Sequence, residues 1–344
     1  MKSKRGYLLI GLLGAFLIIG LASAASVQLS PLPALAPPGG NFVRSLPAYD
    51  SGWEAIDPAE TLTLNHNLGG STTDDYVVDL MFLNGDGAHH LSYGGDEIGS
   101  DENGAFWHSL STTSVRVHRW EDDLEVSEVR LRIWLVPEAD YDSDWVEIDP
   151  GEAITLTHGL GGDADDYLVY MEAKDIPLAG PGLGVNHMYY GMDANRTNGT
   201  PDWHGFYWRA LTTSEIAVQR AGDDWYAERV RVHIWVVPEG DYDSGWVELT
   251  QGKFAVFDHG LGGPNNHLYV NLEFKSVGSD YAINQWCYGW VTIPTGYYYG
   301  ATWHDLSAGS ITVSRGSGDM HADQVRIRIW AHPQLWLPLV FRDY

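Results

Sequence analysis

The chain of 344 residues holds a single cysteine, Cys287, so no intrachain disulfide can staple it. Basic residues are scarce as well: 20 Lys and Arg stand against 46 Asp and Glu, a net charge of −26. A field of that sign repels phosphate backbones and anionic lipid, which excludes nucleic acid as a partner. No segment shows a helical period. No Ser-His-Asp order, metal triad or phosphate loop stands out, so the sequence gives no reason to expect an enzyme, a cofactor or a metal site. Asp193-Ala194-Asn195 with Asn198-Gly199 has the flavour of a calcium loop, yet no bidentate Glu follows at the required offset.

The longest apolar run, Tyr7 to Leu21, is shorter than the about 20 residues of a membrane span. Lys2, Lys4 and Arg5 precede it and Ala22-Ser23-Ala24 follows, the pattern of an export signal cleaved after Ala24. Residues 25–48 carry Pro31, Pro33, Pro37, Pro38 and Pro47 and read as a linker. The expected location is therefore secreted or at the cell surface, where a chain without disulfides must be held by its cores.

What the chain has in abundance is self-similarity. Asp50-Ser51-Gly52-Trp53, Asp142-Ser143-Asp144-Trp145 and Asp243-Ser244-Gly245-Trp246 each open a unit, and His66, His158 and His259 each follow the Trp by 13 residues. The units close on Val129 to Trp134, Val230 to Trp235 and Val325 to Trp330, all alternating Arg or His with apolar residues. A repeat at this period sets the architecture: three units at 49–139, 140–240 and 241–333, then an apolar tail at 334–344. Within a unit the apolar period is two, as in Thr61-Leu62-Thr63-Leu64 and Val129-Arg130-Leu131-Arg132-Ile133, with Gly, Asp, Asn and Pro turns between. Counting Gly52 to Ile56 and His90 to Tyr93, this predicts six strands per unit. Six short strands can bury one face only by packing sheet on sheet, so the expectation is all-β, three tandem six-stranded antiparallel β-sandwiches.

An acidic-Gly-Trp opening strand, a polar strand, a long apolar strand, and Val115 standing 19 residues before the closing Trp134 resemble the H-type lectin domain. The resemblance spans about Tyr49 to His332. It implies sandwiches that assemble as trimers and bind N-acetylgalactosamine-type sugars. The family's pocket combines an acidic first loop, an Arg at the start of the fourth strand, and a Trp-His pair in the last hairpin loop. Carried over, the first loop falls on Asp57 and Glu60, on Asp149 and Glu152, and on Thr250 to Lys253, where the acids are absent. The fourth-strand position holds His89 and His90, Asn186 and His187, and Asn284 and Gln285. The last loop holds Asp123, Asp224 and Asp319, with Trp120 and Trp225 nearby to supply an aromatic face. The ending Leu337-Pro338-Leu339-Val340-Phe341-Arg342 resembles that of secreted Chloroflexi-type bacterial proteins and implies the same placement.

A sugar offers hydroxyls on its rim and C–H groups on its face, so its site needs carboxylate, amide or His groups beside an exposed aromatic. Fifteen Trp and 19 Tyr supply aromatics well beyond those that mark the repeats. The expected function is a multivalent carbohydrate-binding protein with glycans as partners; the alternative is a structural or adhesive repeat protein without a sugar site. Self-association through sandwich faces is a further expectation. Three copies with short linkers can satisfy a trimer within one chain, with Arg130, Arg231 and Arg326 facing carboxylates. The loop Asp123, Asp224 and Asp319 would then line pockets, so that Asp224→Ala leaves the fold untouched.

Overall fold

The protein is described by a computed structural model covering residues 45–332, except 86, 99–100, 137, 177–181, 196–201, 238, 264–266 and 294–296. The export signal, the linker up to residue 44 and the C-terminal tail lie outside the described residues.

Repeat 1 runs through ten short strands: β1 (Tyr49–Asp50), β2 (Glu54–Ala55), β3 (Thr61–Asn65), β4 (Tyr76–Asn84), β5 (Gly87–His89), β6 (Asp96–Ile98), β7 (Asp101–Asn103), β8 (Ala105–His108), β9 (Ser114–Arg119) and β10 (Glu128–Leu135). One sheet has the order β1-β10-β4-β5, with β2 also on β10, and the sheet β3-β9-β8 packs over it. β6 and β7 form a separate hairpin. Repeats 2 and 3 copy this topology strand for strand, all antiparallel within named sheets, so the chain is all-β and built of tandem sandwiches. Val115, Val117, Leu131, Ile133 and Leu80 fill the layer between the sheets, as the two-residue period requires. The stretch His90 to Tyr93 is a turn and not a strand, and the strand opposite β9 is Ala105–His108. The turn runs inward, where partners from other repeats surround it and no ladder is needed.

That turn builds the centre of the molecule. Tyr93, Tyr190 and Tyr288, one from each repeat, meet edge to face with ring centroids 6.0, 5.8 and 5.9 Å apart and interplanar angles of 86°, 89° and 82°. Each hydroxyl reaches the next repeat: Tyr93 to His187 Nδ1 (2.8 Å), Tyr190 to Gln285 Oε1, and Tyr288 to His90 Nδ1 (2.8 Å). Gln285 Nε2 donates to the Leu272 carbonyl (2.8 Å). His187 and His90 meet the tyrosine hydroxyls through Nδ1, while their buried Nε2 atoms find no hydrogen-bond partner among the described residues. The relay closes on itself, so the three repeats form a ring about a pseudo-threefold axis. Glycine is required at the crossings: a Cβ on Gly94, Gly191 or Gly289 would stand 2.6, 2.5 or 2.7 Å from the backbone N of Tyr190, Tyr288 or Tyr93 in the following repeat.

Backbone hydrogen bonds stitch all three seams alike. Leu110 N donates to Val185 O and His187 N to Trp107 O; Leu211 N donates to Ile283 O and Gln285 N to Trp208 O; Leu306 N donates to Ala88 O and His90 N to Trp303 O. On the opposite faces of the closing strands the arginines are buried between repeats and not solvated. Arg130, Arg231 and Arg326 clamp Asp50, Asp142 and Asp243 of their own opening motifs. They and their neighbours then cross the seams: Arg132 Nη2 donates to Leu268 O (3.0 Å), Arg231 pairs with Asp74 (2.5 Å), and Arg326 Nη1 donates to Asp165 O (2.7 Å). The closing Trp134, Trp235 and Trp330 gather in one cluster there. At the other end the three hairpins meet, with Thr292 N donating to Asp96 and Glu97 N to Asp193 Oδ2 (3.0 Å). Burial pushes the Asp96 carboxyl up to about 6, where a hydrogen bond to Asp193 lets the two acids share a proton.

Candidate functional site

The last hairpin loop is a structural staple in every repeat. Arg119 Nε binds Asp123 Oδ2 (2.8 Å), Arg220 binds Asp224 (2.8 Å) and Arg315 binds Asp319 (2.7 Å). Asp123 also accepts from Gly104 N and Val126 N, and is 0 % exposed. Asp224 and Asp319 accept from Gly205 N and Ala227 N, and from Gly300 N and Ala322 N. Each carboxylate is thus enclosed and saturated, fixing its loop against the opening turn through Arg bonds to Ile56 O, Ile148 O and Leu249 O. Asp123 and Asp319 are therefore interior, and Asp224 meets the hollow of repeat 2 only as part of a buried staple, a role in which its loss disturbs the fold.

The fourth-strand set is likewise interior. His89 Nε2 bonds to Glu125 O (3.0 Å), Asn186 Nδ2 to Tyr226 O (3.4 Å) and Asn284 Nδ2 to His321 O (3.1 Å), so one residue per repeat braces the same loop. Burial holds His89 down at about 4. His90, His187 and Gln285 belong to the axial relay, and burial depresses His187 to about 3 and His90 well below its usual range. Trp120 stacks on Tyr189 at 6.3 Å in the seam between repeats 1 and 2. The reason the assignment fails is the missing strand: with His90 to Tyr93 a turn to the axis, side chains there face other repeats and not a rim. Trp203 of the variable loop packs on Trp286 and Tyr299 of repeat 3. The first-loop acids are at the surface and close their own turns, Glu60 accepting from Asp57 N (2.7 Å) and Glu152 from Asp149 N (2.8 Å).

One predicted aromatic stands out into solvent. Trp225 is 73 % exposed, and the equivalent positions hold Leu124 at 87 % and Met320 at 60 %, so every repeat presents a large apolar side chain at the tip of the stapled loop. In repeat 2 the indole borders a hollow of about 450 Å³ between the first loop, through Pro150, and the last, through Gly222, Asp223 and Asp224. Asp202, His204 and Glu228 complete the wall. The first loop reaches this hollow through Pro150 and not through Asp149 or Glu152. A smaller hollow of about 290 Å³ lies beside Arg315 and Asp323 in repeat 3, lined also by Glu248, Thr250 and Val277 and without Met320 on its wall. Asp202 and Glu228 were missed by sequence reasoning. The signal for Glu228 is its place four residues after Asp224, matched by Asp323 after Asp319. Asp202 opens the short strand Asp202–His204, whose counterparts Asp101–Asn103 and Tyr297–Tyr299 hold Asp101 and Tyr297 at that position. Among the described residues no group of three His, Cys, Asp or Glu is placed to hold a metal ion.

No family model, curated protein or solved structure matches this chain.

Proposed function

We propose that this is a secreted or cell-surface, multivalent carbohydrate-binding protein whose ring presents the tips of its last hairpin loops as binding positions. The observation that carries the reading is Trp225, a broad indole face left in solvent beside a hollow of ligand size walled by carboxylates and His204. Burying such a face against sugar C–H groups, with carboxylates accepting from the hydroxyls, is the pairing that saccharides demand. The fixed loop supports it: the Arg220–Asp224 staple holds the indole's backbone without using the indole. Three tips on one rigid body would add avidity even where each contact is weak. The N-terminal export pattern supports the location. A second reading, a structural or adhesive repeat protein, is favoured by the number of aromatic loop residues spent in seams.

A glycan array separates the two. The full chain is expected to retain a subset of glycans and Trp225→Ala to lose most of that retention, with an unchanged melting temperature. Silence across the array would sink the lectin reading and leave the structural one.

A further inference from the structure

The three tips differ in charge. In repeat 2 the hollow is lined by Asp202, Asp223, Asp224 and Glu228, with Arg220 the basic residue on its wall. Arg220 is used up: Nε goes to Asp224 Oδ2 (2.8 Å), Nη1 to Ile148 O (3.0 Å) and Nη2 to Asp224 O (2.8 Å). That pair cancels, and three carboxylates remain around the indole. Asp223 spends one oxygen on Trp203 N (3.0 Å) and Glu228 one on Ile176 N (2.9 Å), both backbone bonds, and neither carboxylate has an ion pair among the described residues. Repeat 3 provides an internal control. There Arg315 binds both Asp319 and Asp323 (3.0 Å), so one guanidinium is shared by two carboxylates, Gly318 stands where repeat 2 has Asp223, and the tip is Met320 instead of Trp. The same scaffold is strongly anionic and aromatic in one repeat and less acidic and aliphatic in another.

We propose that the hollow beside Trp225 takes a sugar carrying a protonated amine, a deacetylated hexosamine, in preference to neutral or acidic saccharides; this rests on the lectin reading above. An ammonium group near an indole face gains from the ring quadrupole. Carboxylates a few ångströms away attract it further in a partly solvated hollow. An acidic sugar meets repulsion from the same groups. A neutral one forgoes both terms. The volume suits one or two sugar units, and the preference belongs to repeat 2 alone, because only there are the unneutralised acids and the indole combined.

The test is calorimetric titration of the full chain with three oligosaccharides of equal length, glucosamine, N-acetylglucosamine and galacturonic acid oligomers, at a pH that keeps the amine protonated. The glucosamine oligomer is expected to bind at least tenfold tighter than the acetylated one, with the advantage shrinking as salt is raised. Asp202→Asn with Glu228→Gln should erase the preference at an unchanged melting temperature, and Trp225→Ala should weaken binding of both. Equal or tighter binding of the acetylated or acidic oligomer overturns the amine preference and leaves the lectin reading standing. Preference unchanged in the Asp202→Asn, Glu228→Gln variant overturns the site. Spermidine binding as tightly as the glucosamine oligomer reduces the hollow to a cation trap and overturns its sugar specificity. If none of the oligomers binds and the array is silent, both readings fall together.

Discussion

The ring has two kinds of seam. Repeats 1 and 2, and repeats 2 and 3, are joined by chain and by aromatic clusters: Phe106, Met188 and Tyr189 with Trp120 at the first, Tyr207, Trp286 and Cys287 with Trp203 and Tyr299 at the second. The seam between repeats 3 and 1 is closed without a chain connection. The positions equivalent to Phe106 and Trp120 are Thr302 and Gly316, and those equivalent to Met188 and Tyr189 are Leu91 and Ser92. Its backbone stitching is as complete as at the others, so hydrogen bonds alone do not distinguish the seams. Apolar area does, and it is the term that scales with burial. The lesson is that near-identical repeats assemble through identical backbone contacts while side chains grade the strength of each joint.

Variants inside a sandwich set the scale for that comparison. Asp123→Ala, Asp224→Ala and Asp319→Ala each leave a buried arginine without its carboxylate and should cost about 3–5 kcal/mol, uniformly across repeats. Denaturant midpoints measure this, and a neutral result at any one would show its staple to be redundant. Next come the seams themselves. Phe106→Ala removes a buried ring from an aromatic seam and should cost about 3 kcal/mol, whereas the half-buried Leu91→Ala at the closing seam should cost about 1 kcal/mol. Equal losses would erase the distinction between the joints.

The smallest effect at neutral pH, and the sharpest with acid, lies on the axis. His90 and His187 are held neutral by burial, with folded values below the ordinary 6.5, so the unfolded chain takes up protons first and stability falls as pH drops below about 6.5, down to about 3 for His187. His90 faces Tyr288, Tyr93 and Trp303, and the nearby His89, Arg132 and His187 also oppose its charging. Repeat 3 already holds a group that cannot titrate there, Gln285, which meets Tyr190 as His90 meets Tyr288 and His187 meets Tyr93, and adds a bond to the Leu272 carbonyl. His90→Gln and His187→Gln should therefore change little at pH 7.5 and each recover about 2 kcal/mol of the stability lost at pH 5. Thermal unfolding followed across that range checks it. A variant that stays as acid-sensitive as the parent would place the acid lability elsewhere.

Much of the fold was legible because its causes are local. Alternation, turn residues and the thrice-written Asp-Ser-x-Trp motif dictate strands, sandwich and repeat count, since a two-residue period can hide only one face. The interior strand pair shows where local rules stop. β4 reads as a continuous apolar run with Asp79 in it, and its second buried face is explained only by Arg132 and by the neighbouring repeat. Most of the candidate site was misplaced for the same reason. Composition identified the residue types, but a carboxylate four residues after an arginine looks the same whether it faces solvent or, like Asp224, closes a buried staple.

Sequence by itself determined the three sandwiches and the acidic character of the chain, because these follow from patterns a few residues long and from composition. Tertiary structure alone decided that His90, His187 and Gln285 point to a common axis, that Trp120 and Trp203 are joints, and that Trp225 is left in the open. Those outcomes depend on which repeat lies across a seam, at separations of about a hundred residues that no local period encodes.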